Sequence, residues 1–262
     1  MIERLLPPDV AAVARPDDVP LSSLFEAELA AIRDAVPRRR SEYATVRWAA
    51  RSCLAQLGHP PVPILSGAGG APRWPAGHVG AMTHCQGYRA AAVARVSTAD
   101  GLGIDAEPAQ PLPDRVLPEI SSADEREHVT DLGRRWPLAP WDRLLFSAKE
   151  SYYKVWFPAM GCWLGFDDVE VRFETPDDPA RGDFTVRPCS GGPRRGRRDA
   201  DFDAAATGFP ALQGRWGLAV DADGPTGRTG DAVVVTTIVA PVGAMSGVRS
   251  PQTGRTRTGM LR

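Results

Sequence analysis

The segment between Pro140 and Pro158 has the clearest helical periodicity in the chain, and it constrains the fold more than any other stretch. Proline is tolerated in the first turn of a helix and disrupts its interior, so we predict a helix from Pro140 to about Phe157. Apolar residues recur on one side of it, at Trp141, Leu144, Leu145, Ala148, Tyr152, Val155 and Trp156. This pattern predicts an amphipathic helix with one buried face.

The same helix carries the only two lysines of the chain, Lys149 and Lys154, on either side of Glu150. All other positive side chains are arginines. Lysine is a compact point charge that suits phosphate oxygens, whereas arginine is a planar fork. Arg143, Ser147, Glu150 and Lys154 fall on the side opposite the apolar stripe. Chance survival of two surface lysines explains the composition equally well.

Weaker patterns surround this helix. They predict helices at residues 22–36, 41–57 and 123–135, and strands at 79–83, 90–96, 102–106, 169–173, 183–187, 215–220 and 232–239. A loose helix-then-strands order in both halves predicts an α+β protein of two similar subdomains, residues 1–103 and 104–242. Residues 243–262 are rich in Gly, Thr and Arg, and we expect a disordered tail there.

Charge and cysteine content narrow the class of protein. The net charge is −1 over 262 residues, so no overall field favours nucleic acid or a membrane surface. The four cysteines have no CxxC spacing, and the first residues are too short and too interrupted for a signal peptide or a membrane span. We expect a protein of the reduced cytoplasm with no nucleic-acid or membrane partner.

Two carboxylates stand two residues apart in Gly103-Ile-Asp-Ala-Glu107, at the end of a predicted strand. Side chains alternate along a strand, so Asp105 and Glu107 point to the same side. Adjacent carboxylates repel each other unless a cation lies between them, and Mg²⁺ prefers carboxylate and phosphate oxygens. Glu150 is a third candidate ligand. The alternatives are an exposed acidic strand edge and a simple helix-stabilising pair between Glu150 and Lys154.

Two other features are candidates for binding anions, and a third is discarded. His84 follows a short apolar run and precedes a tight turn, although a lone histidine is more often structural. Arg38-Arg-Arg40 is typical of a solvated cluster at a helix start, and such clusters also bind phosphate. Gly67-Ala-Gly-Gly70 lacks the lysine of a phosphate loop and does not join a strand to a helix, so we discard that interpretation.

In combination these motifs resemble those of the 4′-phosphopantetheinyl transferases of the Sfp type. The acid pair is followed by Lys149-Glu-Ser-Tyr-Tyr-Lys154, and this combination is specific to the family. The block from Trp74 to Tyr88, which contains Thr-His84, matches a third family motif. Thr45-Val-Arg-Trp-Ala-Ala-Arg51 and Trp163-Leu-Gly-Phe166 are similar to the actinobacterial branch. The likeness covers residues 20–240 and leaves out the tail.

The resemblance implies a pseudo-twofold monomer that holds coenzyme A in the cleft between its halves. Asp105, Glu107 and Glu150 would hold Mg²⁺ against the pyrophosphate, and Lys149 and Lys154 would neutralise its oxygens. Glu150, directly or through a water molecule, would accept the proton from a serine of an apo acyl or peptidyl carrier protein. That serine attacks the β-phosphorus, and 3′,5′-ADP leaves. Charge neutralisation and positioning are what phosphoryl transfer requires.

The resemblance also implies that His84, helped by Arg39 and Arg47, meets the 3′-phosphate of coenzyme A. Relatives commonly carry a lysine or arginine in the loop that precedes Gly-x-Pro. Here the loop at residues 65–72 carries no charge. Arg73, just after it, is a candidate replacement.

Three other functions remain open at this point. The chain fits a Mg²⁺-dependent hydrolase or transferase that acts on another pyrophosphate. The uncharged loop fits a relative that binds carrier proteins without catalysis. The arginine cluster at residues 194–198 fits a nucleic-acid-binding protein, but it lacks neighbouring aromatic residues for base stacking.

Overall fold

The computed structural model describes residues 1–189, 208–219, 232–246 and 248 of the protein. The α-helices in that part are α1 (Glu26–Ala31), α2 (Pro37–Gln56), α3 (Val116–Ile120), α4 (Ala123–Arg135) and α5 (Trp141–Met160). The strands are β1 (Ala11–Arg15), β2 (His78–Cys85), β3 (Tyr88–Arg95), β4 (Ala99–Pro108), β5 (Val169–Phe173), β6 (Arg181–Pro188), β7 (Leu212–Ala219) and β8 (Val233–Pro241).

The first half of the molecule is a three-stranded antiparallel sheet in the order β1–β3–β2, covered by α2. Small residues allow the helix to approach the sheet closely. Ala49 and Ala50 of α2 pack with Ala91 and Val93 of β3, and all four are fully buried. α2 begins at Pro37, because proline lacks only an N–H that would have no partner in the first turn.

The second half is a five-stranded antiparallel sheet in the order β4–β8–β7–β6–β5, with α5 across one face. The apolar side of α5, which includes Leu144, Tyr152 and Trp156, is buried in the largest core cluster. Two serines of the helix also contact the sheet: the hydroxyl groups of Ser147 and Ser151 bond to Thr236 of β8. Ser147 is therefore buried, although its helical position predicted a polar face.

The two halves meet at β4. A Cβ at Gly103 would overlap the main-chain carbonyl of Ser151, so glycine is required for α5 to lie this close to the strand. On the other side, Thr83 of β2 donates to Asp105 Oδ1 at 3.2 Å and accepts from the N–H of Ala106 at 3.0 Å. β4 thus fixes α5 and β2 around the carboxylate of Asp105.

The predicted α+β class with two similar halves is confirmed, because each half lays one 20-residue helix on one antiparallel sheet. The helix at 123–135 and the strand at 169–173 have the predicted bounds. The helix predicted at 22–36 is much shorter. It begins at Glu26, where the Glu28 carboxylate accepts the Phe25 N–H and caps the first turn.

Two other helix boundaries differ from the prediction. α2 begins at Pro37, with no cap at Ser41. α5 passes through Pro158 and ends at Gly161, which has φ 67°. Proline removes only its own N–H donor, so the helix continues to Met160 and ends before Gly161, whose N–H donates to the Phe157 carbonyl. β1 and α3 are additional elements that the sequence patterns did not predict.

The two predicted boundaries, between residues 103 and 104 and before residue 243, compare differently with the structure. The division between residues 103 and 104 lies inside β4, and it stays a prediction. The expected disordered tail does not begin at residue 243, because the Met245 N–H donates to Asp100 Oδ2 at 3.0 Å and Met245 packs against the core. Residues 249–262 and the arginine cluster at 194–198 lie outside the described residues. No helix in the described part is long and apolar enough to cross a membrane.

Candidate active site

A cavity of about 260 Å³ lies where α2, β2 and α5 meet, between the two halves. Five of the residues predicted from sequence line this one space. They are Arg39, Arg47, His84, Glu150 and Lys154. The cavity therefore has one wall from the first half and one from the second, as a cleft between two subdomains requires.

On the first wall, His84 of β2 lies between two residues of α2. Arg39 Nη1 is 2.6 Å from His84 Nε2, and Nδ1 of the same ring is 3.5 Å from Glu42 Oε2. A guanidinium only donates, so Nε2 accepts and the ring proton sits on Nδ1. Burial lowers the pKa of His84. Glu42 opposes this shift, and the positive charges of Arg39, Lys154 and Arg89 add to it.

Arg47 lies deeper in the same wall and is only 5% exposed. Its guanidinium stacks 3.1 Å above the centre of the Tyr43 ring, and it donates to the Ile64 carbonyl and to Ser66 Oγ. Burial lowers the pKa of Arg47 to about 10, and the side chain is still charged at neutral pH. Arg47 lines the cavity and carries five N–H donors, two of which are used by Ile64 and Ser66.

The uncharged loop at residues 65–72 closes the rim of the cavity. Gly69 has φ 57°, and a Cβ there would overlap the ring of Phe157 on α5. The loop therefore contacts the opposite wall at Gly69, which packs against the ring of Phe157. Arg73 is exposed, and its side chain lies beside Gly67 and not among the cavity-lining residues. The structure does not bring this predicted replacement charge to the site.

On the second wall, Lys154 reaches back from α5 to β4. Its ammonium donates to the Ile104 carbonyl at 2.8 Å and to Asp105 Oδ1 at 2.9 Å. An ammonium has three donors, so one remains for a ligand in the cavity that Lys154 lines.

Asp105 has one carboxylate oxygen paired and one without a partner. Oδ1 accepts from Lys154 and Thr83, while the buried Oδ2 has no hydrogen-bond partner among the described residues. A buried carboxylate oxygen without a donor is costly, and a hard cation such as Mg²⁺ satisfies it. The residues at this position therefore fit a magnesium ion.

The other two predicted metal ligands differ in their surroundings. Burial raises the pKa of Glu150, the nearby charge of Asp105 adds to this, and Lys154 opposes it. Burial and Asp105 also raise the pKa of Glu107, but Arg143 is bonded to its carboxylate at 3.1 Å.

The described ranges contain no group of three Asp, Glu, His or Cys side chains arranged as a metal site. The expected convergence of three carboxylates is therefore corrected: the Glu107 carboxylate is paired with the Arg143 guanidinium at 3.1 Å. One or two carboxylates together with phosphate oxygens are sufficient ligands for Mg²⁺.

The ammonium group of Lys149 is bonded to protein groups, and Lys149 does not line the larger cavity. Its side chain is 1% exposed, and its ammonium lies 2.9 Å from Glu125 Oε2. It also donates to the carbonyl groups of Ile120, Phe166 and Val169. The prediction that Lys149 neutralises pyrophosphate oxygens is corrected, since all its donors face the protein. The residue joins α4 and α5 to the segment before β5.

A second cavity, of about 110 Å³, shares Glu150 and Tyr153 with the first. Tyr153 lies between Phe157 and Trp163, with ring-centre distances of 5.6 and 5.3 Å. Trp163 is 68% exposed. Sequence reasoning missed Tyr153 and Glu42 as site residues. Tyr153 had a usable signal, because it is an aromatic residue on α5 outside the apolar stripe and beside Lys154.

Models of known protein families match both halves of this chain. A model of the 4′-phosphopantetheinyl transferase N-terminal domain matches residues 26–94, and one of the 4′-phosphopantetheinyl transferase superfamily matches residues 101–191. The 4′-phosphopantetheinyl transferase Svp of Streptomyces mobaraensis is 47% identical over 93% of this chain and 91% of its own. The chain belongs to the 4′-phosphopantetheinyl transferase superfamily.

Two further relatives support this assignment. The 4′-phosphopantetheinyl transferase PptT of Mycobacterium tuberculosis is 46% identical over 68% of this chain and 78% of its own. The 4′-phosphopantetheinyl transferase Npt of Nocardia iowensis is 44% identical over 69% and 80%, respectively. The family predicted from the sequence motifs is confirmed, and the protein is a transferase.

Proposed function

We propose that the protein, as a cytoplasmic monomer, transfers the 4′-phosphopantetheine arm of coenzyme A to a serine of apo acyl or peptidyl carrier proteins. The observation that carries this proposal is the cavity between the halves. One wall presents Arg39, Arg47 and His84 to an anion, and the other presents Lys154 and Glu150 beside the unpartnered oxygen of Asp105. One chain supplies both walls, so a monomer is sufficient.

The shape of coenzyme A fits this order of residues. The molecule runs from a 3′-phosphorylated adenosine through a pyrophosphate to the pantetheine arm. We place the 3′-phosphate on the wall of Arg39, Arg47 and His84, and the pyrophosphate beside Lys154. The arm then continues past Tyr153 into the second cavity, whose aromatic lining suits its apolar carbon atoms.

Asp105 and Glu150 are the residues that would hold a magnesium ion. Such an ion would neutralise charge on the pyrophosphate oxygens. Lys154 holds the Asp105 carboxylate in place and keeps one N–H for the same phosphate group.

The transfer exchanges one phosphorus–oxygen bond for another. The carrier serine oxygen bonds to the β-phosphorus, and the bond from that phosphorus to the leaving 3′,5′-ADP breaks. The serine proton moves to the Glu150 carboxylate, directly or through a water molecule. Burial and the nearby charge of Asp105 raise the pKa of Glu150, an effect that a bound cation would offset.

The test is to incubate the protein with coenzyme A, Mg²⁺ and an apo carrier protein, and to record the intact mass of the carrier and the release of 3′,5′-ADP. We expect the carrier to gain one phosphopantetheine for each 3′,5′-ADP released. Release of the nucleotide without a change in carrier mass would indicate a hydrolase. Carrier binding without either product would indicate a non-catalytic relative. Omitting Mg²⁺ and adding a chelator is the matched control.

A further inference from the structure

Glu42 lies directly behind His84, outside the residues that line the cavity. It is only 6% exposed. One carboxylate oxygen accepts from Arg38 Nε at 2.9 Å, and the other lies 3.5 Å from His84 Nδ1. Glu42 cannot touch a ligand in the cavity, so any role in binding must act through His84.

Arg39 and His84, the two proposed phosphate-binding groups nearest to Glu42, are bonded to each other in this structure. Arg39 donates to Nε2 of His84, which must be unprotonated to accept. A phosphate oxygen also only accepts hydrogen bonds. His84 can therefore contact phosphate through Nε2 only after this nitrogen has gained a proton and turned from acceptor to donor.

We propose that Glu42 is a positioning residue that allows His84 to take up a proton when the 3′-phosphate of coenzyme A binds. The phosphate displaces the ring from Arg39, and a proton from solvent adds to Nε2. The imidazolium then donates from Nε2 to the phosphate and presents Nδ1–H to Glu42. This inference rests on the proposed function.

The charges around His84 explain why a carboxylate behind it is needed. Arg39, Lys154 and Arg89 face the ring from α2, α5 and β3, and all of them disfavour a second positive charge. Glu42 is the carboxylate that opposes them. Burial acts to raise the pKa of Glu42, but its bond to Arg38 and the charges of Arg38 and Arg39 act against this, and the pKa is lowered overall. Glu42 is therefore ionised and able to stabilise an imidazolium.

The experiment is isothermal titration calorimetry of the full chain with Mg²⁺, in two buffers of different ionisation enthalpy. Coenzyme A and 3′-dephospho-coenzyme A are compared at about pH 7.5, where a phosphate monoester with a second pKa of about 6 is already doubly charged. Any additional proton uptake measured with coenzyme A is then due to a group of the protein and not to the 3′-phosphate. Glu42→Gln removes the charge and keeps the shape. Glu127→Gln, an exposed carboxylate on α4, is the matched control.

We expect the wild-type protein and Glu127→Gln to take up about half a proton or more for coenzyme A beyond the value for the dephospho compound. Glu42→Gln should lose most of this uptake and bind coenzyme A about tenfold more weakly. Its affinity for 3′-dephospho-coenzyme A should stay within about twofold, which also shows that the variant is folded. His84→Asn should abolish the difference in uptake.

Equal uptake by wild type and Glu42→Gln would overturn this inference, and coenzyme A binding that depends on the 3′-phosphate would leave the proposed function standing. Absence of coenzyme A binding by the wild-type protein would overturn both. Arg38→Gln gives a second test at an exposed position, if Glu42→Gln does not fold. Freed from Arg38, Glu42 should favour the imidazolium more strongly and extend tight coenzyme A binding to higher pH. An unchanged pH profile in that variant would also overturn the inference.

Discussion

The two walls of the cavity hold their charged groups in different ways. On the α2 and β2 wall, the charged side chains bond mainly to one another: Arg39 to His84, and Arg38 to Glu42. On the α5 wall, Lys154 bonds to the Ile104 carbonyl as well as to Asp105. On the same helix but outside this cavity, the buried Lys149 bonds to three main-chain carbonyl groups as well as to Glu125. The Arg38 side chain is 75% exposed, whereas that of Lys149 is 1% exposed.

From this difference we infer that the first wall mainly binds coenzyme A and that the second wall takes part in the transfer reaction. On the first wall, the exposed Arg38 and Arg39 side chains can rearrange around an anion at little cost, because only side chains move, while the buried Arg47 is held by the Ile64 carbonyl. Groups tied to the backbone of β4 and of the segment before β5 keep one geometry, which transition-state stabilisation needs. Substitutions on the first wall should therefore change affinity for coenzyme A, and those on the second should change folding or turnover.

The largest expected effect is on stability, at Lys149. Lys149→Met leaves the buried Glu125 carboxylate without its cation, which typically costs about 3–5 kcal/mol. Arg38→Ala on the other wall removes an i,i+4 pair whose arginine is exposed and leaves Glu42 beside His84, so it should cost about 1 kcal/mol or less. Urea unfolding measures both. The double variant Lys149→Met with Glu125→Gln should recover part of the loss. A loss at Lys149 no greater than at Arg38 would break the comparison.

The next effect is on turnover, at Lys154. Removing one donor aimed at developing charge typically costs about 10²–10³ in rate, so Lys154→Ala should lower kcat by that factor. Arg39→Ala should mainly raise KM for coenzyme A and leave kcat nearly unchanged. Steady-state kinetics with an apo carrier protein separate the two. If Lys154→Ala instead raised only KM, both walls would have the same role.

The next smaller effect concerns how α5 is held against β4. Gly103→Ala would push the strand from the Ser151 carbonyl, and overpacking of this kind costs about 1–3 kcal/mol. Because Lys154 bonds to Ile104 and Asp105, turnover should fall as well. Gly101→Ala is the matched control, since the three atoms nearest to its Cβ would belong to side chains, those of Met245 and Val155 at 3.0 Å and of Ala240 at 3.8 Å, and not to the main chain. Equal thermal denaturation curves for the two variants would contradict this account.

Sequence reasoning predicted part of each wall. Asp105, Glu150 and Lys154 follow from residue type, strand alternation and helix spacing, and the structure brings them together, whereas Glu107, predicted by the same alternation, is paired with Arg143. Lys149 was misplaced, because its role was implied by the family resemblance, which says nothing of the buried carbonyl groups that a long side chain can reach. Glu42 was missed because its partner His84 comes from a strand far along the chain.

The smallest effect tests the uncharged loop at the rim of the first wall. Ser66→Lys adds an ammonium near the proposed 3′-phosphate position and should favour coenzyme A over its 3′-dephospho form. The gain should be severalfold, because a partly exposed charged contact contributes about 1 kcal/mol and Arg47, 3.3 Å from Ser66 Oγ, repels a second cation. Arg73→Ala should change this preference less than about twofold, since its side chain lies outside the cavity. Calorimetric affinities for both compounds provide the measurement. If Arg73→Ala removed the preference instead, the loop would draw its charge from Arg73, and the first wall would extend beyond Arg39, Arg47 and His84.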